Sequence, residues 1–252
     1  MQLIELDEYL SRYLATARFD DAALNGLQVE GKPEVRRVAT AVSACAEVFR
    51  KALAAGADAV VVHHGLLWKG DWPRPVAGVM GSRLRLLLEG GCSLFAYHLP
   101  LDAHPDVGNN AVAARGLGLS DLEPFCEYHG QMIGWRGRYE EPLASQEFFE
   151  RLRSFYGHPA HVVPGGPPQV TSVGVVSGGA AREAEAAAAL GLDAYVTGEP
   201  GEPATFLARE AGFHFAALGH YATERVGVKA LGDHLQQALG VEVLFIDVEN
   251  EA

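Results

Sequence analysis

Cysteine is scarce. Cys45, Cys92 and Cys126 are the only three among 252 residues, and no two of them stand in Cys-x-x-Cys spacing. A disulfide framework is thereby excluded, and the three thiols read as small buried hydrophobes of a reducing compartment. Positive charge is also in deficit, with 20 Lys and Arg against 32 Asp and Glu for a net charge of −12. A field of that sign repels phosphate backbones and anionic lipid, so no broad nucleic-acid surface is expected. No apolar run approaches the roughly 18 residues of a membrane span. The stretch Met1–Tyr13 carries Glu5, Asp7 and Glu8 where a signal peptide would be basic and then apolar, so a cytoplasmic location is expected. No G-x-x-x-x-G-K-[ST] phosphate loop occurs. Hydrophobic residues are not lacking: at 48% they supply ample core for a folded chain of this length.

An offset of 135 residues aligns Val35–Val61 with Val170–Val196 without a gap, matching Val35/Val170, Val38/Val173, Gly56/Gly191, Asp58/Asp193 and Ala59/Ala194. A repeat of this length points to two copies of one unit. In each, a β-branched run (Val35–Val42, Val170–Val176) leads into an Ala-rich helical stretch, then Gly-x-Asp-Ala, then a second apolar run. Gly56 and Gly191 stand where a left-handed helix end is cheap, and Asp58 and Asp193 open the turn into the next strand. With a small further offset, Arg83–Gly91 and Ser93–His98 match Ala204–Gly212 and His214–His220, giving each copy a third strand that ends in His. The expected fold is α/β: two similar interlinked lobes related by internal duplication, residues 1–122 and 123–252, with a metal site in the cleft between them. The segment from Glu123 to Pro168 reads as the start of the second lobe, an amphipathic helix near Ser145–Tyr156 and a surface loop at Pro164–Pro168. Leu3–Leu14 and Thr223–Leu239 read as helices and Val241–Asp247 as a closing strand. The last two either stay with the second lobe or pack back on the first.

The chemistry-bearing residues gather at strand ends. Ala59–Val62 discharges His63-His64-Gly65 at the carboxyl end of a strand, where open α/β sheets place ligands. Adjacent strand residues point to opposite faces, so both imidazoles reach one site only if the strand has ended and Gly65 turns the backbone; a hydrogen-bonded pair is the other reading. His98-Leu99-Pro100-Leu101-Asp102-Ala103-His104 follows the third strand. Asp102 is a hard ligand able to bridge two ions, or a turn cap near Asn109-Asn110. His98 is a supporting residue before it is a ligand. Gly219-His220-Tyr221-Ala222-Thr223-Glu224 puts imidazole and carboxylate at i, i+4 on one helix face, with Cβ atoms about 5–6 Å apart. Glu199 takes the place aligned with His64 and either approaches the same cleft or caps the next helix. His63, His64, Asp102, His220 and Glu224 together suit two divalent ions sharing a bridging carboxylate; zinc, iron, manganese or cobalt fits such a nitrogen and oxygen set. Lys69 and Arg74 are either nucleotide contacts or solvated loop charges, and Trp68 and Trp72 either a pocket lid or packed aromatics.

Beyond these clusters, Asn25-Gly26-Leu27-Gln28-Val29, His63–Gly70, His98–His104, Asp193–Glu199 and Gly219–Glu224 resemble, across nearly the whole chain, the Nif-three-like proteins, also named GTP cyclohydrolase 1 type 2 homologues, in their short bacterial branch. The resemblance implies a dinuclear centre on His63, His64, Asp102, His220 and Glu224, in a toroidal homohexamer. It also implies a metal-dependent hydrolase that opens the ring of GTP or cleaves a phosphate ester. His98, His104 and Glu199 are then the candidates for proton transfer, and Leu66-Leu67-Trp68 or Phe148-Phe149 the apolar residues for subunit contacts. The competing class is a non-catalytic metal-binding scaffold or metal carrier.

Overall fold

A computed structural model describes residues 1–71 and 75–251, so Trp72 and Arg74 lie outside the described residues. In chain order the elements are α1 (Leu3–Tyr13), β1 (Gly26–Val29), β2 (Arg37–Ser43), α2 (Ala46–Ala54), β3 (Ala59–His64), α3 (Gly78–Gly90) and β4 (Ser93–Ala96). These are followed by α4 (Leu99–Ala103), α5 (Asn109–Gly116), β5 (Ser120–Tyr128), β6 (Gln131–Ala144), α6 (Ser145–Tyr156), β7 (His161–Pro164) and β8 (Gln169–Val175). The chain closes with α7 (Ala184–Ala189), β9 (Ala194–Thr197), α8 (Glu202–Ala211), β10 (His214–Ala217), α9 (His220–Leu239) and β11 (Glu242–Phe245). Two compact units result, Met1–Leu101 with Gly227–Glu249, and Asp102–Val226 with the last residues of the chain.

The first unit carries a five-stranded sheet in the order β1-β4-β3-β2-β11. Strands β2, β3 and β4 are parallel neighbours, joined through α2 and α3. The central β3 reads as an unbroken run, Ala59-Val60-Val61-Val62, because a parallel strand covered on both faces has no solvent side on which to place polar residues. Phe49 and Ala52 of α2 and Leu87 of α3 pack with Val60, Val62 and Leu94 in its core. At the edges β1 runs antiparallel to β4, and β11 adds in parallel to β2.

The second unit repeats the parallel arrangement with β8, β9 and β10, joined through α7 and α8, inside a six-stranded sheet ordered β5-β6-β8-β9-β10-β7. Here the structure departs from the expectation for residues 123–168. Strands β5 and β6 form a long antiparallel hairpin paired to β8, and β7 pairs antiparallel with β10 next to the Pro-Gly-rich stretch read as a surface loop. The hairpin escapes a periodicity argument because Pro124 and the positive φ of Asp121 and Cys126 interrupt its alternation. His129 and Gly130 turn it with positive φ at both positions. The third strands also stop short of the histidines, at Ala96 and Ala217. Leu66 and Phe148, read as apolar residues for subunit contacts, are instead core residues of their respective units.

The two Gly-x-Asp turns share one device. Gly56 and Gly191 take left-handed φ of 73° and 62° just past α2 and α7. Asp58 Oδ2 accepts the backbone N–H groups of Arg36 and Arg37 at 2.9 and 3.1 Å. Asp193 Oδ2 accepts those of Thr171 and Ser172 at 2.9 and 2.8 Å. Each carboxylate thus ties the start of its second parallel strand to the start of the first. Replacing either Asp58 or Asp193 by Ala is expected to cost about 1–2 kcal/mol in urea denaturation, the scale of a lost side-chain cap; a change within about 0.3 kcal/mol of zero for both would contradict this role.

Candidate metal site

In the first unit, His63 and His64 are the last two residues of β3. Contrary to the expectation that the strand must have ended before them, β3 pairs with β2 as far as Ser43–His64, while pairing with β4 stops at Val62–Ala96. With one flank released, the two rings approach with centroids 4.6 Å apart. His63 Nδ1 lies 2.9 Å from the carbonyl oxygen of Tyr97. A carbonyl only accepts, so the proton sits on Nδ1 and the lone pair on Nε2. His64 Nδ1 lies 3.1 Å from Ser43 Oγ.

The segment after the strand is held by Gln28. Its Oε1 accepts the N–H groups of Leu66 and Leu67 at 2.7 and 3.0 Å, and its Nε2 donates to the carbonyls of Leu24 and Leu67. A Cβ at residue 65 would come 2.4 Å from that Oε1, which is why the position is Gly65. Asn25 performs a similar service for His98, whose backbone N–H donates to Asn25 Oδ1 at 2.8 Å. The His98 ring is fixed separately, with Nδ1 donating to Asp21 Oδ1 at 2.9 Å. Asp21 also accepts from Ala23 N, Asn25 Nδ2 and Leu99 N. Burial pushes the Asp21 carboxyl up, but hydrogen bonds from His98, Asn25 and Ala23 outweigh it and hold the group well below the usual carboxylate range. Trp68 donates Nε1 to the Gly65 carbonyl and stands edge-on to His98 at 5.2 Å. Lys69 pairs with Asp20 on the surface.

In the second unit, Asp102 Oδ1 accepts from Asn109 Nδ2 at 2.8 Å and from Ser177 Oγ at 3.0 Å. Helix α5 begins after Gly108 without a side-chain cap, so Asp102 is a held carboxylate and not its cap. His104 Nδ1 accepts the N–H groups of Asp106 and Val107, a structural use of that ring. His220 opens α9 and sits between two carboxylates, with Nδ1 2.6 Å from Glu199 Oε1 and Nε2 3.1 Å from Glu224 Oε1. Glu199 does not cap α8, which begins after Gly201. The hydrogen bond to Glu224, opposed by burial and reinforced by Glu199, pushes His220 up to about 9. Gly178, with φ +67°, is required by the close approach of Glu224: a Cβ there would come 2.3 Å from Glu224 Oε1.

Two groupings result. One ring nitrogen from each of His63, His64 and His98 lies within 4.8 Å of the others, and within the second unit an Asp102 oxygen lies within 4.8 Å of a Glu224 oxygen. Both carboxylates are buried, at 7% and 3% exposure. Imidazoles held through Nδ1 and a pair of buried carboxylates are the chemistry a divalent cation requires, so these residues fit a metal ion. Sequence patterns do not mark Asp21, Ser43 and Ser177, which hydrogen-bond the candidate ligands His98, His64 and Asp102. Ser177-Gly178-Gly179, small residues directly after a parallel strand, was the one local signal available. Replacing Asp21 by Ala is expected to lower stability by about 3 kcal/mol, because it strips a buried acceptor from four donors. Urea denaturation measures this, and a loss below about 1 kcal/mol would contradict it.

The whole chain, residues 1–252, matches the family Duf34/NIF3 (NGG1p interacting factor 3). It is 44% identical to the GTP cyclohydrolase 1 type 2 homolog of Pseudomonas aeruginosa, covering 99% of this chain and 98% of that protein. With the protein of the same name from Haemophilus influenzae it shares 38% identity, covering all of both chains. Among solved structures it superposes on protein ybgI, of unknown function, with a TM-score of 0.94 at 38% identity and full coverage of both chains. TTHA1606 from Thermus thermophilus follows at 0.92 and 40%, again with full coverage of both. Reduced HcgD from Methanocaldococcus jannaschii gives 0.85 at 25%, covering 98% of each chain. The mixed α/β fold with two sheets is therefore shared with solved NIF3 structures, and the chain belongs to the Duf34/NIF3 family.

Proposed function

We propose that the protein is a metal-dependent hydrolase holding two divalent ions, zinc, iron or manganese, on His63, His64, Asp102, His220 and Glu224. The observation that carries this reading is the buried approach of Asp102 to Glu224 within 4.8 Å, an acidic pair best satisfied by cations. Five nitrogen and oxygen ligands exceed the four that one zinc ion commonly takes, which supports two ions. The ligand set contains no thiolate, as suits an open reactive site more than a closed structural one. Bound ions would supply Lewis acidity and a water of lowered pKa.

The chain's own residues prepare that chemistry. Tyr97 O and Ser43 Oγ set the rings of His63 and His64, Asn109 and Ser177 aim Asp102, and Glu199 holds His220. Glu199 is half exposed and can receive a proton at Oε2 while Oε1 keeps its hydrogen bond. The names of the relatives support a nucleotide substrate, GTP with ring opening, and metal hydrolysis in general supports a phosphate ester. The matching carboxylate clamps of Asp58 and Asp193 support descent of the two units from one duplicated ancestor. A toroidal homohexamer is part of the same reading; the exposed Val79, Leu88, Leu190 and Phe206 are apolar residues available for its contacts. Among the described residues no helix is long and apolar enough to cross a membrane, and three free thiols suit a cytoplasmic protein.

Elemental analysis after loading with zinc, manganese or iron should give about two ions per chain. One or none would contradict the dinuclear reading. Turnover of GTP or a phosphate ester by the loaded protein should vanish in His63→Ala and fall at least about tenfold in Glu224→Gln. If no metal raises turnover above the His63→Ala rate, a metal-binding scaffold or carrier is the better account. Light scattering at micromolar concentration should report a hexamer, and a monomer would refute the toroid.

A further inference from the structure

Of the three histidines gathered in the first unit, His98 has no assigned part in the proposed metal set. Its surroundings match those of the other two. His63 Nδ1 is committed to a backbone carbonyl, His64 Nδ1 faces a serine hydroxyl that can accept, and His98 Nδ1 donates to the buried Asp21 carboxylate. The carbonyl and the carboxylate only accept, so His63 and His98 carry the proton on Nδ1 and the lone pair on Nε2, and the Ser43 hydroxyl permits the same tautomer for His64. A histidine that ligates a metal characteristically spends its other nitrogen on a carboxylate, a carbonyl or a similar acceptor, which fixes the ring and raises its basicity. Packed core histidines need no such tethers, and here one ring nitrogen from each of the three gathers within 4.8 Å of the others.

The ring positions agree with the tethers. The His98 centroid lies 5.0 Å from that of His63 and 5.8 Å from that of His64, and the three planes are tilted by 44° to 52° to one another, so the rings fan around a common point without stacking. Trp68 closes on the His98 edge and restricts its rotation. Asp21 is itself immobilised by Ala23, Asn25 and Leu99, so the hydrogen bond to His98 acts from a rigid anchor. All of these groups belong to one compact unit.

We infer that the first unit carries a complete three-histidine ion site, in which His98, positioned by Asp21, is a direct ligand beside His63 and His64. This rests on the metal-binding reading above but goes beyond its five ligands. Three imidazoles with a position left for water form the ligand set of a hydrolytic zinc or cobalt ion, and they need no carboxylate to hold it. The ion on this unit should accordingly survive loss of the carboxylates of the other. With its lone pair on the ion, His98 takes no proton during turnover, which leaves that step to Glu199.

The test uses the full chain loaded with cobalt(II), whose visible spectrum reports its ligands. The wild-type protein should bind about two ions, and the Asp102→Ala/Glu224→Ala double variant about one. Adding His98→Ala or His98→Gln to that double variant should weaken the remaining ion by at least about tenfold and shift its spectrum, and Asp21→Asn should weaken it by about 10–100-fold. X-ray absorption on the double variant should count three imidazoles on cobalt. Circular dichroism confirms which variants are folded, and the glutamine substitution serves if the alanine one is not. Two imidazoles, no retained ion, or an affinity indifferent to both His98 substitutions would overturn the inference while leaving a two-ion wild type intact. A wild type that binds no cobalt would overturn the underlying metal reading as well.

Discussion

Asp102 and Glu224 are buried with oxygens within 4.8 Å of each other, and this acidic pair constrains much of the second unit. Two carboxylates at that separation repel by about 3 kcal/mol at an effective dielectric constant near 20. The second unit answers the repulsion with donors: Asn109 and Ser177 on Asp102, and the His220 ring on Glu224. The close packing at Gly178, where no side chain fits, keeps Glu224 in place. The two acids, with these neighbours arranged around them, form a group that could hold a metal ion.

Delivery of these groups follows from the parallel sheets. In the first unit His63 and His64 end β3 and His98 follows β4; in the second unit Ser177 and Gly178 follow β8, Glu199 follows β9 and His220 follows β10. Parallel strands all discharge at one edge of their sheet, so side chains distant in sequence meet there. The clamps by Asp58 and Asp193 act at the opposite ends of the strands, where they fix alignment and leave the carboxyl ends to chemistry.

The strand–helix–strand pattern and the clustering of His and carboxylate residues were legible because they are local: apolar runs, glycine stops, and histidines directly after strands. The His220–Glu224 pair follows from helical spacing alone and is present as a hydrogen bond. What was not legible depends on long-range pairing. The β5–β6 hairpin lacks clean alternation, since Pro124 and two positive-φ residues interrupt it. Asp21 meets His98 across 77 residues of chain, and nothing in its neighbourhood marks it as an anchor. Asn25 and Gln28 were visible as part of a family resemblance, but their work, pinning the segments that carry His98 and His64, is a matter of hydrogen bonds that sequence patterns do not encode.

The central claim is that these side chains hold divalent ions. Anomalous diffraction from crystals of cobalt-loaded protein, recorded at the cobalt edge, tests it most directly. The account predicts anomalous peaks about 2.0–2.2 Å from ring nitrogens of His63 and His220 and from carboxylate oxygens of Asp102 and Glu224. Fully loaded crystals with no peak within reach of these atoms, or with cobalt bound only at surface histidines such as His129 or His161, would contradict it.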